Sequence, residues 1–213
     1  MDRTHPPTCF AKSLTLECGI TQQMIAAGID YLYSTLDRLD ATLIDAGSPR
    51  MSQLIELANL SSMLGNLLAT GIVRNSDGVF ERAGPHKYQD LRATGKHCDH
   101  RHIEVKVSLE TNNPKAHLAK VGDYLTCRYV LGDAAATFVP DKRGDVVWLW
   151  EVRFGRLELP HFNISNTDGD SGKTAVVNAA GMEALKVVYF DGRFCPYSPK
   201  SKYRKNLVES HLF

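Results

Sequence analysis

The chain has 213 residues, 43% of them hydrophobic, and a formal net charge of +1. That length suits one domain, or one domain with a helical arm, and the apolar fraction can build a real core. Near-neutral charge excludes a protein drawn to nucleic acid or membrane by bulk charge, while leaving room for a local basic face balanced by acids elsewhere.

Residues 1–20 read as a loose lead-in, with Pro6 and Pro7 early. No apolar signal core lies in "MDRTHPPTCFAKS", and no window approaches a membrane span. Cys9, Cys18, Cys98, Cys127 and Cys195 are scattered, without a Cys-x-x-Cys pair. That pattern fits reduced thiols better than a disulfide framework. The expectation is a soluble, cytoplasmic protein.

A long helix follows in "TQQMIAAGIDYLYSTLDRLDATLIDAG", with Thr21 as cap and Gly47 as stop. Ile25, Ile29, Leu32, Leu36, Leu39 and Leu43 form one seam, which either faces the core or meets a second copy of the chain. Ser48-Pro49 predicts the start of a second helix, "MSQLIELANLSSMLGNLLATG", stopped by Gly71. Leu54, Leu57, Leu60, Leu64, Leu67 and Leu68 face inward, with Glu56, Asn59 and Asn66 as a polar strip. Residues 1–47 thus read as lead-in and arm, and 48–213 as the main domain, or the whole chain as one continuous domain.

Beyond residue 72 the pattern becomes strand-like. A turn is predicted at Ser76-Asp77-Gly78 and strands at 123–131 and 145–159, with a late helix near 173–185 and a last strand in "VVYFD". Trp148 and Trp150 alternate with Val147 and Leu149, so at least one face there is core. No internal repeat or low-complexity tract is present.

Between these lies "KYQDLRATGKHCDHRHIEVKVSLE" (87–110). Alternation puts Ile103, Val105, Val107 and Leu109 on one face, and His102, Glu104, Lys106, Ser108 and Glu110 on the other. A hairpin turning near Gly95 brings Asp90 close to Glu104. Two adjacent carboxylates repel unless a cation separates them, and a hard divalent ion takes oxygen ligands, water and phosphate. A lysine two residues beyond Glu104 points the same way and can orient a water aimed at phosphorus.

The run Tyr88-Gln89-Asp90-Leu91 followed by Ile103-Glu104-Val105-Lys106 resembles the PD-(D/E)XK phosphodiesterase superfamily, which includes type II restriction endonucleases. Gln89 stands where proline is usual. The resemblance implies a mixed β-sheet flanked by helices, of α/β (α+β) class, preceded here by the helical arm. It also implies a Mg²⁺-dependent DNA endonuclease, with Mn²⁺ as a substitute ion. Asp90 and Glu104 match the metal-holding acids, the Val105 carbonyl a third ligand, and Lys106 the lysine that positions water. Double-stranded DNA is the implied substrate, and a homodimer the implied assembly of a symmetric cutter. A repair, structure-selective or phage nuclease of the same superfamily, or a nucleic-acid-binding protein without catalysis, are the rival expectations.

Glu56 and Glu110 are possible supporting acids, each with a plain solvated role as the alternative. Lys115, His117 and Lys120, in the loop after the catalytic strand, and Lys87, with His86, are placed to meet phosphates. Arg153 either reaches DNA or closes an internal ion pair, and the same holds for Arg128 and Arg156. His97, Cys98, His100 and His102 raise a zinc alternative, but lack two separated ligand pairs. "TDGDSGKTA" (167–175) is not a nucleotide-binding P-loop, because Thr167 stands where that motif needs glycine, so no nucleotide cofactor is expected. A helix start near Ser171 could still hold a phosphate.

Overall fold

The computed structural model describes residues 1–12, 14–84, 89–97, 99–165 and 174–209. Lys87, His86, Cys98 and the start near Ser171 lie outside the described residues. The elements run α1 (Gln22–Asp45), α2 (Met51–Leu54), α3 (Leu57–Arg74), β1 (Phe80–Arg82), β2 (Leu91–Ala93), β3 (Ile103–Leu109), β4 (Lys115–Ala116), β5 (Gly122–Gly132), β6 (Val146–Leu157), β7 (Phe162–Ser165), β8 (Thr174–Val177), α4 (Ala179–Ala184), β9 (Lys186–Phe190) and α5 (Lys202–Glu209). The class is mixed α/β. A six-stranded mixed sheet, ordered β1-β2-β3-β5-β6-β9, is flanked by helices, and a three-stranded sheet β4-β8-β7 lies beside it. β3 and β5 pair in parallel; the other neighbours in both sheets are antiparallel.

Thr21 caps α1 as predicted, its Oγ1 accepting from the Met24 N–H at 3.2 Å. The seam residues Ile25, Ile29, Leu32 and Leu36 are buried in the same core as the sheet. They are therefore used within the chain, and only the end of the seam, at Leu39, is exposed. A dimer contact along the buried part of the seam is ruled out by that packing.

The second predicted helix is two helices. Met51 donates its N–H to Asp40 of α1, and Ser52 Oγ donates to the Asp145 carbonyl, so α2 is tied down locally. The chain then extends at Ile55 and Glu56 before α3 turns along the sheet. Leu54, expected inside, is exposed. Gly71 does not stop the helix, which runs on to Arg74. A Cβ there would lie 2.6 Å from Tyr31 Cβ and 2.8 Å from Gly28 Cα, so Gly71 and Gly28 are where α1 and α3 touch backbone to backbone.

β5 is buried along its whole length and β6 along nearly all of it, which explains their continuous apolar and aromatic runs. At the bulge between Arg128 and Tyr129, Glu151 and Leu149 are the successive partners and Trp150 is left unpaired. Both tryptophans are core. The late helix expected over 173–185 is β8 followed by the short α4. The twelve-residue connection from β3 to β5 carries β4 rather than a helix.

Helices α1 and α3 cover the sheet face bearing Val105 and Val107, as Gly65 lies against both. The register puts Lys106, Thr126 and Arg153 in one row and Ser108, Arg128 and Glu151 in the next, on the opposite face. That face is closed by the small sheet, α4 and α5, with Tyr124, Leu157, Phe162, Ala175, Val177, Met182 and Leu185 as a second apolar cluster.

Candidate active site

β2 pairs with β3 only through Leu91 and Ile103, and that register continued by one residue opposes Asp90 to Glu104. At this point side chains replace the ladder. Asp90 Oδ2 accepts the Val105 N–H at 2.9 Å, and Glu104 Oε2 accepts the Gln89 N–H at 2.8 Å. Each carboxylate thus takes a backbone donor from the segment carrying the other. Gln89 achieves this at φ +72°, a left-handed conformation rare outside glycine.

Lys106 Nζ forms an ion pair with Glu104 Oε1. Glu104 is 7% exposed and Lys106 more open, so both oxygens of a nearly buried carboxylate are engaged. The other Asp90 oxygen takes no hydrogen bond among the described residues. Val105 directs its N–H toward Asp90, and in a strand the carbonyl of the same residue points to the same edge.

That edge opens into a cleft of about 350 Å³. Asp90, Val105, Lys106 and Val107 form its floor, Ser61, Ser62, Gly65 and Asn66 of α3 one wall, and Lys115, His117 and Thr174 the other. Three expected residues, Asp90, Val105 and Lys106, therefore share a cleft with two of the expected phosphate contacts, Lys115 and His117. Glu104 sits behind them through its bond to Lys106. The α3 wall was not foreseen; its signal in the sequence is the small polar run Ser61-Ser62 and Gly65-Asn66 inside a leucine-rich helix.

The remaining candidates lie elsewhere. Glu56 is exposed at the N-cap of α3 and does not line the cleft. Glu110, at φ +54°, pairs with Arg143 at 2.8 Å. Lys120 is half-buried, its carbonyl accepting the Tyr124 hydroxyl. Arg153 takes the interior alternative. It is buried, pairs with Glu151 at 2.9 Å and donates to the Met182 carbonyl, and it does not line the cleft. Arg128 is likewise buried against Glu151, whereas Arg156 is exposed and pairs with Glu158.

His97 and His100 stack at 5.1 Å, and His102 Nδ1 accepts the Ala93 N–H. Among the described residues no group of three or more His, Cys, Asp or Glu side chains is placed to share a metal. Burial pushes the described cysteines' pKa values up, Cys9 to about 11 with Asp191 adding to the effect, so at neutral pH they are thiols rather than nucleophilic thiolates. No described helix is long and apolar enough to cross a membrane.

Toward a hard divalent cation the cleft presents the Asp90 carboxylate, while Glu104 lies behind it with both oxygens engaged and could serve as a ligand only by giving up a present partner. No protein-family model matches this chain, and no curated protein matches it in sequence.

Proposed function

We propose that the chain is a Mg²⁺-dependent DNA endonuclease of the PD-(D/E)XK kind, with a restriction-endonuclease-like fold and a short duplex site as substrate. The observation that carries the reading is the interlock at 89–90 and 104–106, which brings the Asp90 carboxylate and the Lys106 ammonium group to one open cleft with Glu104 behind them.

Asp90, Glu104 and the Val105 carbonyl would hold Mg²⁺, or Mn²⁺ in its place, which when bound supplies Lewis acidity and neutralises charge on the scissile phosphate. Lys106 orients the attacking water, and its ammonium group offsets charge building on the phosphoryl oxygens. Glu104 restrains that ammonium through the ion pair. Lys115 and His117 hold the flanking backbone phosphates from the opposite wall. Attack on phosphorus leaves a 5′-phosphate and a 3′-hydroxyl. A symmetric duplex site calls for a homodimer whose contact lies outside the buried α1 seam.

The test is plasmid DNA incubated with the purified protein and Mg²⁺. Discrete cutting that EDTA stops is expected. Lys106→Ala should lower the rate by about 10²–10⁴-fold. Asp90→Ala should abolish cutting yet keep or tighten DNA binding, because a charge that repels phosphate is gone. Undiminished cutting by Asp90→Ala would remove the site. Smears or branched-DNA products instead of fragments would favour a repair or structure-selective nuclease.

A nucleic-acid-binding protein without catalysis is the second reading. It is favoured by the fact that both Glu104 oxygens are already satisfied within the protein. DNA binding indifferent to EDTA, with no cutting, would select it.

A further inference from the structure

A second cavity, of about 460 Å³, shares no lining residue with the cleft and is walled by Met182, Leu185, Val187 and Leu207 with the rings of Tyr197 and Tyr203. The two tyrosines stack at 4.4 Å, and Trp150 packs edge-on against both. The size is that of a site for a small organic molecule.

The charge beneath it is unbalanced. Glu151 is fully enclosed and pairs with both Arg128 and Arg153. Tyr203 donates its hydroxyl to Glu151 Oε1 at 2.5 Å and accepts from Arg153 Nη2 at 2.6 Å. Burial, and then the Glu151 carboxylate, push the Tyr203 pKa up, so it stays a neutral phenol. Two guanidinium groups, which do not lose their protons, therefore face one carboxylate among the described residues. The lining also holds Glu183 and Lys186, one charge of each sign.

Arg153 lines the cavity with its side chain 7% exposed. Its Nη1 is fixed by the carbonyls of Met182 and Leu185, at the C-terminal end of α4, and its Nε–H is enclosed and has no acceptor among the described residues. An uncompensated charge beside an apolar cavity is costly in a folded protein unless an anion answers it.

We propose that this cavity binds a small amphipathic carboxylate, its flat apolar body against the tyrosine and aliphatic walls and its anionic end toward Arg153. The site is separate from the proposed cleavage chemistry and is tested without DNA or metal.

Isothermal titration of the whole protein with 1-naphthoate, and with the neutral 1-naphthylmethanol, decides it. One equivalent of the acid should bind at least tenfold more tightly than the alcohol. Ala179→Phe and Asn206→Phe, substitutions at two exposed positions on different walls, should each weaken the acid tenfold or more while leaving the melting temperature in place. Should one variant fail to fold, the other gives the same reading. Equal binding of acid and alcohol, no saturable binding, or full affinity in the folded blocking variant overturns the proposal.

Discussion

The backbone N–H of residue 89 reaches Glu104 because Gln89 lies at φ +72°. Proline, the residue usual in the resembling family at this position, holds φ near −65° and has no N–H. Gln89→Pro should therefore remove the donor from a nearly buried carboxylate and redirect Asp90, at a cost of about 1–3 kcal/mol in unfolding free energy. Gln89→Gly, which keeps the N–H and suits positive φ, should stay within about 0.5 kcal/mol of the parent chain. Denaturant titration of both variants checks this; equal stability of the two would deny that φ and the N–H matter. That Glu104 and Lys106 share a face was legible in the sequence, because alternation along one strand sets which side chains lie together, whereas the place of Asp90 rested on the expected hairpin. The exchange of backbone donors was not, since it depends on a dihedral at Gln89 that no composition rule specifies. Nor was the fate of Arg153, whose type suits a phosphate and an interior carboxylate equally well.

At the level of the elements, α3 is governed by its two closest approaches. Near Gly71 it meets α1, and an added methyl would collide with the backbone at Gly28. Gly71→Ala should cost about 1–3 kcal/mol, the usual penalty of overpacking. Near Gly65 it meets the sheet, where a Cβ would sit 3.4 Å from Val107 Cγ2, an ordinary contact. Gly65→Ala should be neutral or stabilising by up to about 1 kcal/mol from helix propensity. Thermal unfolding of the pair separates the two roles, and equal losses would contradict the packing described. The strands of the main sheet were legible from β-branched and aromatic runs, as was Thr21 as a cap. Gly71 was misread as a stop because a glycine needed for helix crossing and one ending a helix are identical in sequence. The break at Ile55–Glu56 escaped notice because tertiary ties through Asp40 and Asp145, not a local breaker, accompany it.

For the whole molecule, the buried Arg128–Glu151–Arg153 group joins β5 and β6 to α4 and α5. Burial works to raise the Glu151 pKa, but Arg128 and then Arg153 outweigh it and hold it below the ordinary 4.5. A depressed folded value means that this carboxylate adds stability that is complete above about pH 4.5 and is lost as pH falls through the folded value. Melting temperature should thus fall more steeply between pH 4.5 and acid for the parent chain than for Glu151→Gln. At neutral pH that variant should be the less stable by about 3–5 kcal/mol, because two guanidinium groups lose their counter-charge. Parallel pH profiles would refute this. The mixed α/β class was legible from the alternation of helical and strand patterns, whereas the closure of the polar sheet face by a second small sheet was not. Its strands are too short to leave a periodic signature.

Ala11 donates its N–H to the Val188 carbonyl, Phe10 bridges to Tyr189, and Arg3 grips both Asp37 and the Val147 carbonyl. This stretch thus has part of its partners on strands translated much later. At roughly 5–20 residues per second on the ribosome, residues near Ala11 wait about ten seconds or more for β9 to exist. During that interval α1 can form and pack on α3, while residues 3–11 lack their strand partners, and nascent-chain proteolysis should find residues 3–11 accessible until Val188 has emerged from the exit tunnel.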